Sequence, residues 1–159
     1  MNDTPTIHLV HGFIGSGKTS FARELEERIE GMRFSLDEWL INFYGTAAPA
    51  EMYLEFHQKT ASLIERQWVR ALELGLDVVL DFGFWTRRER DEIREKAVEL
   101  GAVVKLYCVT CDEAVALERC RNRNENPDPS VMVVDEATYH QLKERFEPLG
   151  SDEPHTVVS

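Results

Sequence analysis

The sequence predicts one α/β domain over residues 1–159, a three-layer fold in which a parallel sheet of about five strands carries helices on both faces. Three observations lead there. Short apolar runs alternate with helical stretches in the order β-α-β-α-β-α-β-α-α-β, which builds parallel sheets through crossover connections. Glycines and capping signals punctuate that alternation at several of its junctions. A length of 159 residues suits one core of ordinary size.

Residues 7–11 form the first strand, ending at Gly12. Residues 18–30 are helical, with Phe21, Ala22, Leu25 and Ile29 opposite Glu24, Glu26, Glu27 and Glu30, and Gly31 stops them. Residues 32–36 read as a weaker strand closing at Asp37. A loop holding Gly45, Thr46 and Pro49 follows, so Trp39, Phe43 and Tyr44 are placed in loops. Pro49 suits the start of a helix that runs to about Leu74 and ends at Gly75. Val78, Val79 and Leu80 are the strongest strand core, closing at Asp81.

Thr86-x-x-Glu89 is a capping box for a helix with Ile93, Ala97 and Leu100 inward, ended by Gly101. The mostly apolar run 103–109 reads as a strand buried on both faces. Thr110-x-x-Glu113 is a second capping box, opening a helix that Asn126, Pro127, Asp128 and Pro129 break. Asp135 caps a last helix carrying Tyr139, Leu142 and Phe146, which Pro148 and Gly150 end, and residues 155–159 form a short closing strand. The expected mobile stretch is about 121–134.

Composition narrows the function classes. Eighteen Lys and Arg against twenty-nine Asp and Glu leave a net charge of −11. That balance repels phosphate backbones and anionic membranes, so general nucleic-acid binding is disfavoured. No apolar run approaches the roughly 20 residues that span a bilayer, and no basic leader precedes an apolar stretch. A cytoplasmic, reduced protein is expected. Cys108, Cys111 and Cys120 lack a second ligand pair at zinc spacing and are expected to be buried free thiols.

Gly12-Phe13-Ile14-Gly15-Ser16-Gly17-Lys18-Thr19 fits G-x-x-x-x-G-K-[ST], with Ser20 just behind it. The glycines let the backbone turn its N–H groups inward as an anion nest, and the following helix adds its N-terminal partial charge. Lys18 reaches the β- and γ-phosphates, and the Thr19 hydroxyl suits Mg²⁺. A strand before and an amphipathic helix after are the context the motif requires. The loop alone does not separate kinase, ATPase and GTPase.

Asp37 and Asp81 both fall at strand carboxyl ends, where ligands of such sheets gather. One carboxylate can take the proton of an acceptor hydroxyl while the other holds Mg²⁺ through water. The plainer readings are a helix N-cap for Asp37 and a loop carboxylate for Asp81. Arg119 and Arg123, four apart, share a helical face suited to neutralising a transferring phosphoryl, whereas Arg121 lies on another. The plainer reading is a solvated face paired with Glu113, Glu118 or Glu125. Arg87, Arg88 and Arg90 oppose their helix dipole, a weak hint of an anionic contact. Trp39 and Trp85 are placed to line an acceptor pocket, though packing is the commoner fate of such rings.

These residues resemble small P-loop kinases of the branch containing phage polynucleotide kinase, chloramphenicol phosphotransferase and zeta toxin. The likeness is carried by residues 12–19, Ser35-Leu36-Asp37-Glu38-Trp39, the stretch from Val78 through Trp85 to Arg87, and residues 119–124. It is similar above all to small bacterial AAA-family ATP-binding proteins. The resemblance implies an adenylate-kinase-like sheet with a short lid at about 119–134, ATP as donor with Mg²⁺, Asp37 as base, and Arg119 or Arg123 as the lid arginine. The acidic balance departs from polynucleotide kinases and disfavours a nucleic-acid acceptor.

The leading expectation is therefore an ATP-dependent kinase acting on a hydroxyl of a small molecule. The alternatives are a polynucleotide or nucleoside 5′-kinase, a regulatory ATPase in which Asp37 merely caps a helix, and a toxin-like enzyme acting on a sugar nucleotide. Acceptor identity and oligomeric state are not legible.

Overall fold

The computed structural model describes residues 4–46, 50–126, 128 and 133–159. Its strands are β1 (Thr6–His11), β2 (Met32–Ser35), β3 (Val78–Gly83), β4 (Val103–Val109) and β5 (Thr156–Val158). They lie in the order β2-β3-β1-β4-β5, and every pair is parallel. The helices are α1 (Lys18–Ile29), α2 (Leu36–Tyr44), α3 (Tyr53–Glu73), α4 (Arg87–Leu100), α5 (Glu113–Glu125) and α6 (Glu136–Lys143), with a 3₁₀ turn at Ala50–Met52 before α3.

Strand alternation sorts the core onto two faces. Ile7 and Leu9 of β1 join Val78, Leu80, Phe34 and Leu106 beneath Ile64, Trp68, Ala71 and Leu72 of α3 and Ala97 of α4. Val10, Val79 and Val109 face the other way and pack on Ala22 and Leu25 of α1. A third cluster of Phe13, Ala116, Cys120 and Tyr139 packs the segment after β1 against α5 and α6. Each fully buried Leu or Ile contributes about 1.5–3 kcal/mol, so these faces set where the β1–α1 turn and the β3 end must sit.

The C-terminal segment is tied across the sheet by a buried ion pair. Arg90 donates through Nε and Nη2 to both Glu153 carboxylate oxygens at 2.8 and 3.0 Å, and through Nη1 to the Phe84 carbonyl at 2.9 Å. Both side chains are 1% exposed. The strap therefore holds residues beyond α6 against the end of β3.

Several expectations change. Trp39, Phe43 and Tyr44 are on helix α2, not in loops, because Ser35 caps that helix by accepting from the Glu38 N–H at 3.3 Å. Strand two thus ends at Ser35, and Asp37 lies in the first turn of α2 rather than at its cap. Asp81 sits inside β3, which continues to Gly83. At the end of α1 the left-handed residue is Glu30, with φ 53°, and Gly31 follows it. Thr110 forms no capping box. Its N–H is spent on the Val158 carbonyl at 2.8 Å, which carries it along β5, and Asp112 becomes the cap residue. Strand β4 is not buried on both faces: Val103 is 46% exposed, since the short β5 flanks only residues 107–109. Helix α6 ends at Lys143, before Pro148. Cys120 is a buried free thiol, but Cys108 and Cys111 are only half-buried. The expected helix start at Pro49 and the breakers Pro127 and Pro129 lie outside the described residues, as do residues 130–132 of the expected mobile stretch.

Candidate phosphate-transfer site

The turn between β1 and α1 has the geometry of an anion cradle. Gly15 and Gly17 adopt φ 77° and 98°, where a side chain is strained. A Cβ on Gly12 would meet the Ser16 hydroxyl at 2.7 Å, and one on Gly15 would meet the Ala116 carbonyl at 2.7 Å. The backbone is therefore packed too tightly for any other residue at either position. Ser16 Oγ is buried without a hydrogen-bond partner, an unmet polar group that a phosphate oxygen satisfies. Helix α1 starts at Lys18 directly behind this nest, and its first turn contains no acidic side chain to repel an anion.

Asp81 comes to the cradle through strand register. On the α1 face of β3 it follows Val79, and it pairs with Ser35 of β2. Burial pushes its carboxyl up from the ordinary range, the Lys18 charge, the Thr19 hydroxyl and Arg33 pull it down, and Asp37 raises it again. Four neighbours thus act on this one carboxyl: Lys18, Thr19, Arg33 and Asp37. Asp81 Oδ2 is buried and makes no hydrogen bond; Arg33 Nη1 stands 3.7 Å away, a charge contact too long to be a bond. A buried carboxylate oxygen without a donor, beside a threonine hydroxyl, is the hard oxygen set that Mg²⁺ prefers, so Thr19 and Asp81 fit the ion.

Asp37 is exposed and makes no hydrogen bond or ion pair among the described residues. Its neighbour Glu38 behaves differently. Burial raises Glu38, but Arg33 at 3.0 Å and Arg23 at 3.1 Å outweigh that and hold it below the usual carboxylate range. Two adjacent carboxylates thus have separate fates, one consumed by arginines and one left open.

Arg119 reaches the cradle from α5, donating through Nη1 to the Gly15 carbonyl at 2.8 Å. The half-buried Cys111 thiol points at the same oxygen at 3.5 Å. Arg123, one turn on, is half-buried, and Cys120 feels both its charge and that of Lys18. Arg121 is exposed and pairs with Glu136 at 2.8 Å.

The remaining residues expected to bind substrate have partners of their own in the fold. Trp85 donates its indole N–H to the Gly12 carbonyl at 3.2 Å and tilts onto Phe13, so it buttresses the loop. Arg87 is held by Asp91, Asp152 and Glu153, and Arg88 by Glu92. Those carboxylates offset the dipole cost that made these arginines conspicuous. Trp39 packs on Phe34 and Phe43. Ser20 is exposed behind the cradle.

Three contributors were missed in the sequence. Arg33 sits two residues before Ser35 on the same strand, and an arginine inside a strand reading was a usable signal. Helix α2 itself was announced by Ser35-x-x-Glu38. Tyr53, whose phenol is raised by burial and by the Asp37 charge, had no local signal because it arrives from the far end of a connecting segment. An open groove of about 730 Å³, lined by Phe43, Tyr44, Lys59, Leu63 and Arg66 among others, runs between α2 and α3 rather than over the cradle.

A family model described as an AAA domain matches residues 7–149. A candidate kinase from Chloroflexus aurantiacus J-10-fl superimposes with a TM-score of 0.78 at 15% identity, over 98% of this chain and 88% of that one. Kti12 of Chaetomium thermophilum, in complex with ADP-AlF3, gives 0.72 at 18% identity over 98% and 89%. A gluconokinase from Sinorhizobium meliloti 1021 gives 0.65 at 18% over 99% and 83%. At such identities the likeness shows the fold alone, an all-parallel α/β sheet with a P-loop turn after its first strand. None of the curated proteins matches the chain.

Proposed function

The chain belongs to the AAA domain family, and from that premise we propose that it is an ATP-dependent phosphotransferase moving the γ-phosphoryl of ATP to a hydroxyl of a small molecule. The observation that carries this reading is Asp37. It is an exposed carboxylate in the first turn of α2, without a hydrogen bond or ion pair among the described residues, and its charge acts on the Asp81 carboxyl. A carboxylate left open there is available to take the proton of an acceptor hydroxyl.

In this reading the cradle and Lys18 bind the β- and γ-phosphates and hold them in line with the acceptor. Asp37 takes the proton of the acceptor hydroxyl as its oxygen forms a bond to the γ-phosphorus. The bond from that phosphorus to the bridging oxygen breaks, and ADP carries away the electron pair. Arg119 and Arg123 supply positive charge as the phosphoryl passes between oxygens. Thr19 and Asp81 would hold Mg²⁺, which when bound neutralises charge on the β- and γ-oxygens. The net charge of −11 favours a small acceptor over a nucleic acid.

The test is ADP release from MgATP, with and without pooled hydroxylated metabolites, nucleosides and 5′-hydroxyl oligonucleotides. A phosphotransferase is stimulated by an acceptor and yields a phosphorylated product by mass. Stimulation by protein partners alone, without such a product, would falsify this reading in favour of a regulatory ATPase.

A further inference from the structure

We infer that Trp85 is a positioning residue of the phosphate cradle: its indole N–H presets the peptide at Gly12, where the cradle begins, for a nucleotide triphosphate. This rests on the nucleotide-binding part of the reading above and goes beyond it by giving the turn after β3 a role in ATP affinity.

The turn takes hold of Gly12 through both of its backbone polar groups. Gly83 and Phe84 are consecutive left-handed residues, with φ 80° and 48°, at the point where β3 ends. The Gly83 carbonyl accepts from the Gly12 N–H at 3.2 Å, and the Trp85 indole N–H donates to the Gly12 carbonyl at 3.2 Å. A Cβ on Gly83 would stand 2.9 Å from the indole nitrogen, so a glycine there is what lets the ring lie against the loop. The peptide after Gly12 is planar, so fixing its carbonyl also fixes the direction of the Phe13 N–H. The Phe13 ring rests on the same indole, with centroids 5.0 Å apart.

The turn is strained and held in place by several donors. Phe84 is buried, and a phenylalanine at positive φ persists only where its surroundings over-determine it. Its carbonyl accepts from Arg90 Nη1 and from His11 Nδ1, both at 2.9 Å. The Trp85 carbonyl accepts from the Glu147 N–H at 2.8 Å. This framework delivers a side-chain donor to the first glycine of the cradle. A phenylalanine at position 85 would also pack on Phe13; what the indole adds is the N–H. A loop already in its binding shape loses less freedom when phosphate arrives, and any fall in the population of that shape weakens the apparent affinity by the same factor.

The experiment is calorimetric titration of the full chain with MgATP, paired with urea unfolding of the same samples. Trp85→Phe keeps a ring against Phe13 and removes the donor. Replacement of Trp85 by benzothienylalanine keeps the bicyclic shape and also lacks the donor. Ile64→Val, in the core cluster beneath α3, is the control for an ordinary small loss of stability. Both position-85 variants are expected to raise the MgATP dissociation constant by about three- to tenfold, the shift that one hydrogen bond of ordinary net strength supplies. Ile64→Val is expected to lower the unfolding midpoint and leave the dissociation constant within about twofold of the parent's, since it touches no residue of the cradle. Parental affinity in either position-85 variant would overturn the role of the indole N–H and keep the cradle. An equal loss of affinity in Ile64→Val would reduce the effect to stability and overturn that role as well. Absence of MgATP binding by the parent protein would overturn the cradle assignment itself, and this inference with it.

Discussion

Arg119 donates through Nη1 to the carbonyl oxygen of Gly15 at 2.8 Å, so a side chain of α5 grips the crown of the phosphate cradle. The contact ties α5 to the one stretch of backbone that must keep its shape when a nucleotide arrives. It also places a guanidinium, exposed apart from this bond, at the rim of the site.

Replacing that side chain is expected to be felt in turnover. Arg119→Ala should lower the turnover number by about 10²-fold or more with a smaller loss of ATP affinity, since a cation at a transferring phosphoryl acts mainly in the transition state. Arg123→Ala should be the milder of the two, because Arg123 makes no bond to the cradle. Arg121→Ala, which removes only an exposed pair with Glu136, should stay within a few-fold. Steady-state kinetics of the three variants check this ranking. Normal turnover in both Arg119→Ala and Arg123→Ala would reduce the arginines to a solvated face.

Lys18→Ala should abolish ATP turnover and leave the unfolding midpoint close to that of the parent protein. Lys18 is half-exposed at the start of α1 and is not part of any of the three core clusters. Nucleotide titration and thermal melts on the same sample separate the two effects. Sustained turnover by a folded Lys18→Ala protein would contradict the cradle assignment.

Asp37→Asn should keep nucleotide affinity and lower acceptor phosphorylation by about 10²–10⁴-fold, because asparagine preserves shape but accepts no proton. The comparison is Asp81→Asn, which should instead weaken the Mg²⁺ dependence of nucleotide binding. If Asp37→Asn loses ATP affinity while turnover persists, the roles of the two carboxylates are exchanged.

Glu153→Gln should destabilise the fold by about 3–5 kcal/mol, the usual cost of leaving a buried ionic partner uncompensated. Arg90 is 0% and Glu153 2% exposed, so water does not replace the lost charge. Urea unfolding measures the loss. A midpoint equal to the parent's would mean that the strap contributes nothing.

Stability should also fall as the solution is acidified, in two stages. Burial lowers the affinity of His8 and His11 for a proton, with Asp77 and the Phe84 carbonyl opposing it respectively. Below about pH 6.5, the ordinary histidine value, the unfolded chain takes up protons that the folded one resists, so stability drops with pH. Glu153 adds a second stage. Burial raises its carboxyl, but Arg90, the Gly150 N–H and Arg94 outweigh that and leave it strongly lowered. Its contribution is complete above the unfolded value of about 4.3 and is lost as pH falls below it. Urea midpoints measured from pH 8 to pH 3 test both stages. A midpoint constant between pH 7 and pH 5.5 rules out the histidine contribution.

The sequence by itself determined what depends on neighbours along the chain. The cradle at residues 12–19 was legible because its conformation is set by its own glycines and the helix behind it. Strands were legible from apolar runs, and the capping box at Thr86 and Glu89 formed as read, since both partners lie within one turn. The same local logic failed at Thr110, where pairing with Val158 decided the geometry from 48 positions away. Only the tertiary structure decided what depends on register and packing between elements. The pairing of Ser35 with Asp81 turned a strand residue toward Thr19. The stack of Tyr44 on Phe56 joined α2 to α3. The pair of Arg90 with Glu153 closed the C-terminal strap across 63 residues. The physical reason is one of range. Backbone propensities and caps act within a turn of helix, whereas burial and charge act between groups that only the folded chain brings together.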